Sequence, residues 1–191
     1  MKTDVSGNPE FEAFPKIPRL RRGIVITEKI DGTNAAIGIS EEGRVYAQSR
    51  KRIITPDEDN FGFARWVAEN AESLHEILGP GLHFGEWWGS GIQRGYGLTK
   101  GEKRFSLFNV SRWGDNCDVE DYPGLAVVPL LYTGPYSDPA VDDVLATLHA
   151  QGSVASPGFD KPEGIIVYHS AARQMFKVLL ENDDVPKSLV A

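Results

Sequence analysis

The 191-residue sequence predicts an α+β fold, built mostly from antiparallel sheets with flanking helices. Two observations carry that reading. Short strand-like apolar runs dominate the chain, several of them separated by turn dipeptides such as Asp31-Gly32 and Glu42-Gly43. Only two stretches change to a helical period, and both fall between strands. In chain order, residues 1–18 read as an extended arm, because Pro9, Pro15 and Pro18 disfavour helix. Residues 24–30, 35–39 and 44–48 read as strands. Within 57–78, Phe63, Val67, Ala71, Leu74 and Leu78 recur at three- and four-residue spacing, and Gly79-Pro80 stops them, which predicts a helix. Strands follow at 82–87, 105–110 and 125–130. A second helix starts after Asp138 with Pro139 in its first turn, buries Val141, Val144, Leu145 and Leu148, and ends at Gly152. Residues 164–168 and 174–180 complete the set as two strands joined by a polar turn at 169–172.

Composition narrows the function classes. With 41% hydrophobic and 25% charged residues the chain has the make-up of a globular protein, which excludes disorder as its default state. Its length suits one sizeable domain. A single cysteine, Cys117, excludes a disulfide-stapled scaffold. No apolar run approaches the ~20 residues of a membrane helix, and the polar first 16 residues contain no signal-peptide core. A soluble, cytoplasmic protein is expected. The net charge of −7 argues against general coating of nucleic acid, while leaving room for local basic patches.

The chemistry is concentrated in five places. In Glu28-Lys29-Ile30-Asp31-Gly32-Thr33-Asn34 a lysine closes an apolar strand before a glycine turn, a way to present an amine at a pocket mouth. His83-Phe84-Gly85-Glu86-Trp87-Trp88 sets one carboxylate in an aromatic run, where it needs a partner if buried. Residues 105–109 form an aromatic strand containing Phe108, Glu163-Gly164 precedes an apolar strand, and Lys177 lies within the last one. Alone, each has an ordinary structural explanation: a surface lysine, a core aromatic, a snorkelling side chain.

Taken together and in order, they resemble the covalent nucleotidyltransferases, the superfamily of polynucleotide ligases and capping enzymes. Lys29, Asp31 and Gly32 match the first motif, Lys-x-Asp-Gly, and Glu86 the third. Phe108 matches the aromatic position after it, Glu163-Gly164 the fourth motif and Lys177 the fifth. Gly32-Thr33-Asn34 and Phe84-Gly85-Glu86 followed by Gly91-Ile92-Gln93 are similar to the nick-joining RNA ligase branch, and Arg50 in Ser49-Arg50-Lys51-Arg52 resembles its accessory arginine. The resemblance spans residues 25–180. Two departures stand out: the fifth motif, often Lys-x-Lys, has only Lys177, and the chain is expected to be a single nucleotidyltransferase domain (1–191) without a C-terminal OB or helical domain.

The resemblance implies an ATP-grasp-like adenylation domain and an ATP-dependent RNA ligase. By that likeness Lys29 attacks the α-phosphate of ATP. Lys177, Arg50 and a divalent metal (Mg²⁺ or Mn²⁺) supply positive charge, Glu163 holds the metal, and Glu86 accepts from the ribose hydroxyls. Phe108 stacks on adenine, and Glu28, Asp31 and Asn34 complete the nucleotide site. A lysine amine is mostly protonated at neutrality, so nucleophilic use demands a shifted environment. The implied partner is RNA with 5′-phosphate and 3′-hydroxyl ends, with an accessory protein in place of the absent domain. Alternatives are a small DNA ligase or adenylyltransferase, or a non-catalytic nucleotide- or nucleic-acid-binding module on the same fold. Three basic clusters offer phosphate contacts: Lys16, Arg19, Arg21 and Arg22; Arg50, Lys51 and Arg52; Lys100, Lys103 and Arg104. Trp87, Trp88 and Tyr96 offer stacking surface. The four histidines show no zinc spacing, and the glycines of 89–97 lack a P-loop ending.

Overall fold

The turn after the first strand divides the chain between two sheets. The computed structural model describes residues 6, 7 and 9–184. Strand β1 (Gly23–Lys29) leads into β2 (Thr33–Ile39), β3 (Val45–Ser49) and the two-residue β4 (Ile53–Ile54). Helices α1 (Phe63–Glu69) and α2 (Ala71–Leu78) follow, then β5 (Gly81–Gly89), β6 (Lys103–Leu107), and the short helices α3 (Val110–Trp113) and α4 (Cys117–Asp121). Strands β7 (Leu125–Val127) and β8 (Leu130–Pro135), helix α5 (Asp138–Gln151), β9 (Gly164–His169) and β10 (Gln174–Leu179) complete the order.

One sheet runs β10-β9-β1-β8, antiparallel throughout, and the other β4-β3-β2-β5-β6-β7, antiparallel except at β6–β7. The α+β class therefore holds. Each sheet buries one face. Ile24, Ile26, Ile165 and Val167 pack with Leu148 of α5 and its partly buried Val141, Val144 and Leu145. Ala35, Ile37, Trp87, Phe105 and Leu107 pack with Phe63, Val67, Leu74 and Leu78 of α1 and α2. A third cluster, Ile30, Trp88, Tyr96 and Val128, lies under the turn between β1 and β2.

Three elements differ from expectation. The helix expected within 57–78 is two, broken at Asn70, whose side chain donates to Trp66 O (2.7 Å) and accepts from the Tyr122 hydroxyl (2.6 Å). The strand expected at 105–110 stops at Leu107, because Asn109 caps α3 through its side chain and Arg112 N (3.1 Å). The run at 125–130 is two strands in different sheets: β7 pairs with β6, β8 pairs with β1, and Val128-Pro129 crosses between them. In the expected arm, residues 10–19 carry no helix or strand, and Phe11, Phe14, Ile17 and Leu20 are exposed; residues 1–5 and 8 lie outside the described residues. No helix among the described residues is long and apolar enough to cross a membrane.

Candidate active site

Side chains alternate along β1, so Glu28 and Lys29 face opposite sides of the sheet. Lys29 pairs with Gly164 of β9, which brings Glu163 beside it, and Lys29 Nζ donates to Glu163 Oε2 in an ion pair whose side chains are 22% and 6% exposed. Gly164 is required there: its φ is +154°, and a Cβ would lie 2.2 Å from Val178 O on β10. Lys177 pairs with Ile166 and Leu179 with Gly164, so Lys177 projects from the same face as Lys29. Two strand spacings across and two residues along place their Cα atoms about 12 Å apart, within reach of one phosphate for two long side chains.

The turn 30–32 adds two carboxylates. Gly32 N donates to Glu86 Oε1 (3.1 Å), and a Cβ on Gly32 would meet Trp87 O at 2.4 Å, so β5 approaches this closely only at glycine. Asn34 pairs directly with Glu86 across β2 and β5. Burial pushes the Glu86 carboxyl up to about 7; Lys29 and the Gly32 N–H oppose the rise, while Glu163 and Asp31 add to it. Lys29, Asp31, Glu86 and Glu163 are thus one electrostatic cluster, three carboxylates around one amine. Such a cluster suits a cation arriving with a polyphosphate. Among the described residues no three His, Cys, Asp or Glu side chains are placed to hold a metal by themselves.

Phe108 follows β6, half-buried against the Ile30–Trp88–Tyr96–Val128 cluster, and its N–H donates to Phe84 O (3.0 Å). Arg50 is exposed, one residue beyond the Ser49–Ala35 pair and therefore at the strand end nearest Asn34. Glu28 has a different place from the one the resemblance implies. Its buried carboxylate accepts from Ser153 Oγ (2.6 Å) and from the N–H of Val154 and Ala155 (2.9 Å each), and burial raises its pKa despite these bonds. It anchors the 153–155 loop, on the far side of the strand from Lys29.

The stacking surface expected of Trp87, Trp88 and Tyr96 is not there: the three are 3%, 1% and 0% exposed, and Trp88 Nε1 donates to Ser106 Oγ (2.8 Å). The exposed ring on this face is Phe84, 49% exposed and two residues from Glu86. Strand alternation in Phe84-Gly85-Glu86 was the signal that could have found it. Within the basic clusters, Arg52 pairs with Glu58 (2.6 Å), and Arg104 pairs with Glu102 (2.7 Å) and covers the Trp88 ring. Arg94 carried no sequence signal. It reaches Asp31 (3.3 Å), Lys161 O (3.1 Å) and Glu181 (3.4 Å), tying the first turn to the approach to Glu163.

No curated protein matches this sequence. Solved structures do match in fold. A mutant of a Naegleria gruberi RNA ligase with AMP and Mn superposes with a TM-score of 0.61 at 19% identity, over 84% of this chain and 50% of that one. Another mutant of that ligase, with ATP and Mn, gives 0.59 at 17%, over 85% and 50%. An archaeal ATP-dependent RNA ligase gives 0.56 at 19%, over 86% and 47%. The chain spans about half the length of these ligases. The family model for RNA ligase matches residues 22–179, a span that holds every motif position from Lys29 to Lys177. On that match this chain belongs to the RNA ligase family.

Proposed function

We propose that the protein is an ATP-dependent RNA ligase that works through a covalent lysyl-AMP intermediate on Lys29. The observation that carries the reading is the meeting of Lys29 with Glu163, with Asp31 and Glu86 in the same electrostatic cluster. In the first step the Lys29 amine gives up a proton, and its lone pair forms a bond to the α-phosphorus of ATP. The bond to the bridging oxygen breaks and pyrophosphate leaves. Because the amine donates to Glu163 in the structure, that contact must open; the proton passes to solvent, and its loss is what frees the lone pair. Lys177, on the same face, and Arg50 neutralise charge on the transferring phosphate, where electrostatic stabilisation is worth most. A divalent ion held by Glu163 and phosphate oxygens would supply further charge neutralisation. Glu86 and Asn34 receive the ribose, and Phe108 stacks on the base.

In the second step an oxygen of an RNA 5′-phosphate attacks the phosphorus of lysyl-AMP and returns the amine of Lys29. In the third, an RNA 3′-hydroxyl attacks the activated 5′-phosphorus and AMP leaves. We read residues 1–191 as one adenylation domain acting in the cytoplasm, with an accessory protein completing the grip on RNA. The test is incubation with α-labelled ATP and magnesium, followed by mapping of the labelled residue and end-joining assays on nicked and single-stranded RNA. Label on Lys29 that is absent from Lys29→Ala, together with joined RNA, is expected. Label retained by Lys29→Ala would overturn the nucleophile, and label without joining would make the protein an adenylyltransferase.

A further inference from the structure

The ladder between β1 and β9 ends at the Lys29–Gly164 pair, and beyond it the Glu163 carbonyl is held from the β10 side by Leu180 N–H (3.0 Å). One side chain ties Glu163 back to β1. The Tyr96 hydroxyl donates to Lys29 O (3.2 Å) and accepts from Glu163 N–H (3.1 Å), joining the backbones of the two residues whose side chains form the ion pair. The ring is fully buried, stacked on Phe159 at 4.6 Å between centroids and edge-on to Trp88 at 5.6 Å. Holding it there costs backbone strain. Tyr96 sits at φ 48°, ψ 36°, in the left-handed region that a bulky side chain seldom adopts, and Ser156 Oγ fixes that backbone by donating to Tyr96 O (2.6 Å). Gly95 and Gly97 on either side also have positive φ, 68° and 72°, so the whole turn is shaped around this residue. Strain retained in a buried turn needs a compensating role, and the two hydrogen bonds of the hydroxyl, to Lys29 O and from Glu163 N–H, provide one.

We propose that Tyr96 is a positioning residue for lysine adenylation, its hydroxyl setting the separation of the Lys29 nucleophile from Glu163. The inference rests on the lysyl-AMP reading above. A misplacement of about 1 Å at a reacting pair can cost two orders of magnitude in rate.

The experiment is single-turnover labelling with α-labelled ATP across ATP concentrations, for the wild type, Tyr96→Phe and Tyr122→Phe, with thermal melts of each. Tyr96→Phe keeps the ring contacts and removes both hydroxyl bonds. Its maximal labelling rate should fall at least tenfold while the half-saturating ATP concentration stays within about twofold. Tyr122→Phe makes the same change at a hydroxyl that bonds Asn70 between α1 and α2, so it should lower the melting temperature comparably while labelling at close to the wild-type rate. Wild-type kinetics in Tyr96→Phe would overturn the proposal, as would rate losses in both variants that follow their melting temperatures. A wild type that takes no label would overturn the lysyl-AMP reading and this inference with it; a labelled wild type keeps the two failures apart.

Discussion

Replacing Glu86 with glutamine separates the folding cost of this carboxylate from its use. In the folded chain burial raises the group from an ordinary 4.5 to about 7. The folded state therefore holds the proton more tightly than the unfolded chain does. For this group stability is greatest below pH 4.5 and is lost as the pH rises through 7. The full loss above that window is at most about 3 kcal/mol. Glutamine keeps an oxygen for the Gly32 N–H and cannot ionise, so Glu86→Gln escapes the loss. Titrating groups outside the Lys29–Asp31–Glu163 cluster are common to both proteins and cancel in the comparison. Urea denaturation of both at pH 5 and pH 8 should show the stability advantage of the variant widening by about 2 kcal/mol between the two, a shift of about 1 M in midpoint. A gap that is equal at both pH values, or a wild type more stable than the variant at pH 8, would refute burial as the dominant influence on this carboxylate.

Other outcomes follow from the same geometry. Glu28→Ala orphans Ser153 Oγ and two backbone N–H groups in a buried loop, so it should destabilise by at least about 3 kcal/mol in denaturant melts. Lys177→Ala removes an exposed side chain, and should leave stability within about 0.5 kcal/mol while reducing ATP labelling severely. EDTA should abolish labelling, and added Mg²⁺ or Mn²⁺ should restore it, as followed by autoradiography. Raising salt should depress joining of nicked RNA more steeply than self-labelling, because only joining depends on contacts along the strand.

The fold class, most of the strands and the family were legible because they depend on local pattern: two-residue alternation, glycine turns and residue types at fixed places. What escaped depends on partners distant in sequence. Asn70 ends one helix and starts another because Tyr122, 52 residues away, bonds its side chain. The apolar run at 125–130 gives no sign that Val128-Pro129 crosses between sheets. Tyr96 lies in a glycine-rich turn whose left-handed backbone aims it inward, Arg94 beside it reaches Asp31 and Lys161 O, and no periodicity encodes either. Glu28 was readable in principle. Adjacent residues on a strand face opposite ways, so the neighbour of a lysine at the site belongs to the other side of the sheet.

That adjacency of Glu28 and Lys29 makes the length of β1 indivisible. Slipping the strand by one residue against β9 would turn the amine into the 153–155 loop and the carboxylate towards Glu163, exchanging the anchor and the proposed nucleophile in a single move. Misregistered pairing thus fails twice over, in folding and in chemistry, and no half-functional intermediate lies between the two registers. In an insertion and deletion scan, the exposed turn at 41–43 should tolerate changes of length that residues 24–29 cannot.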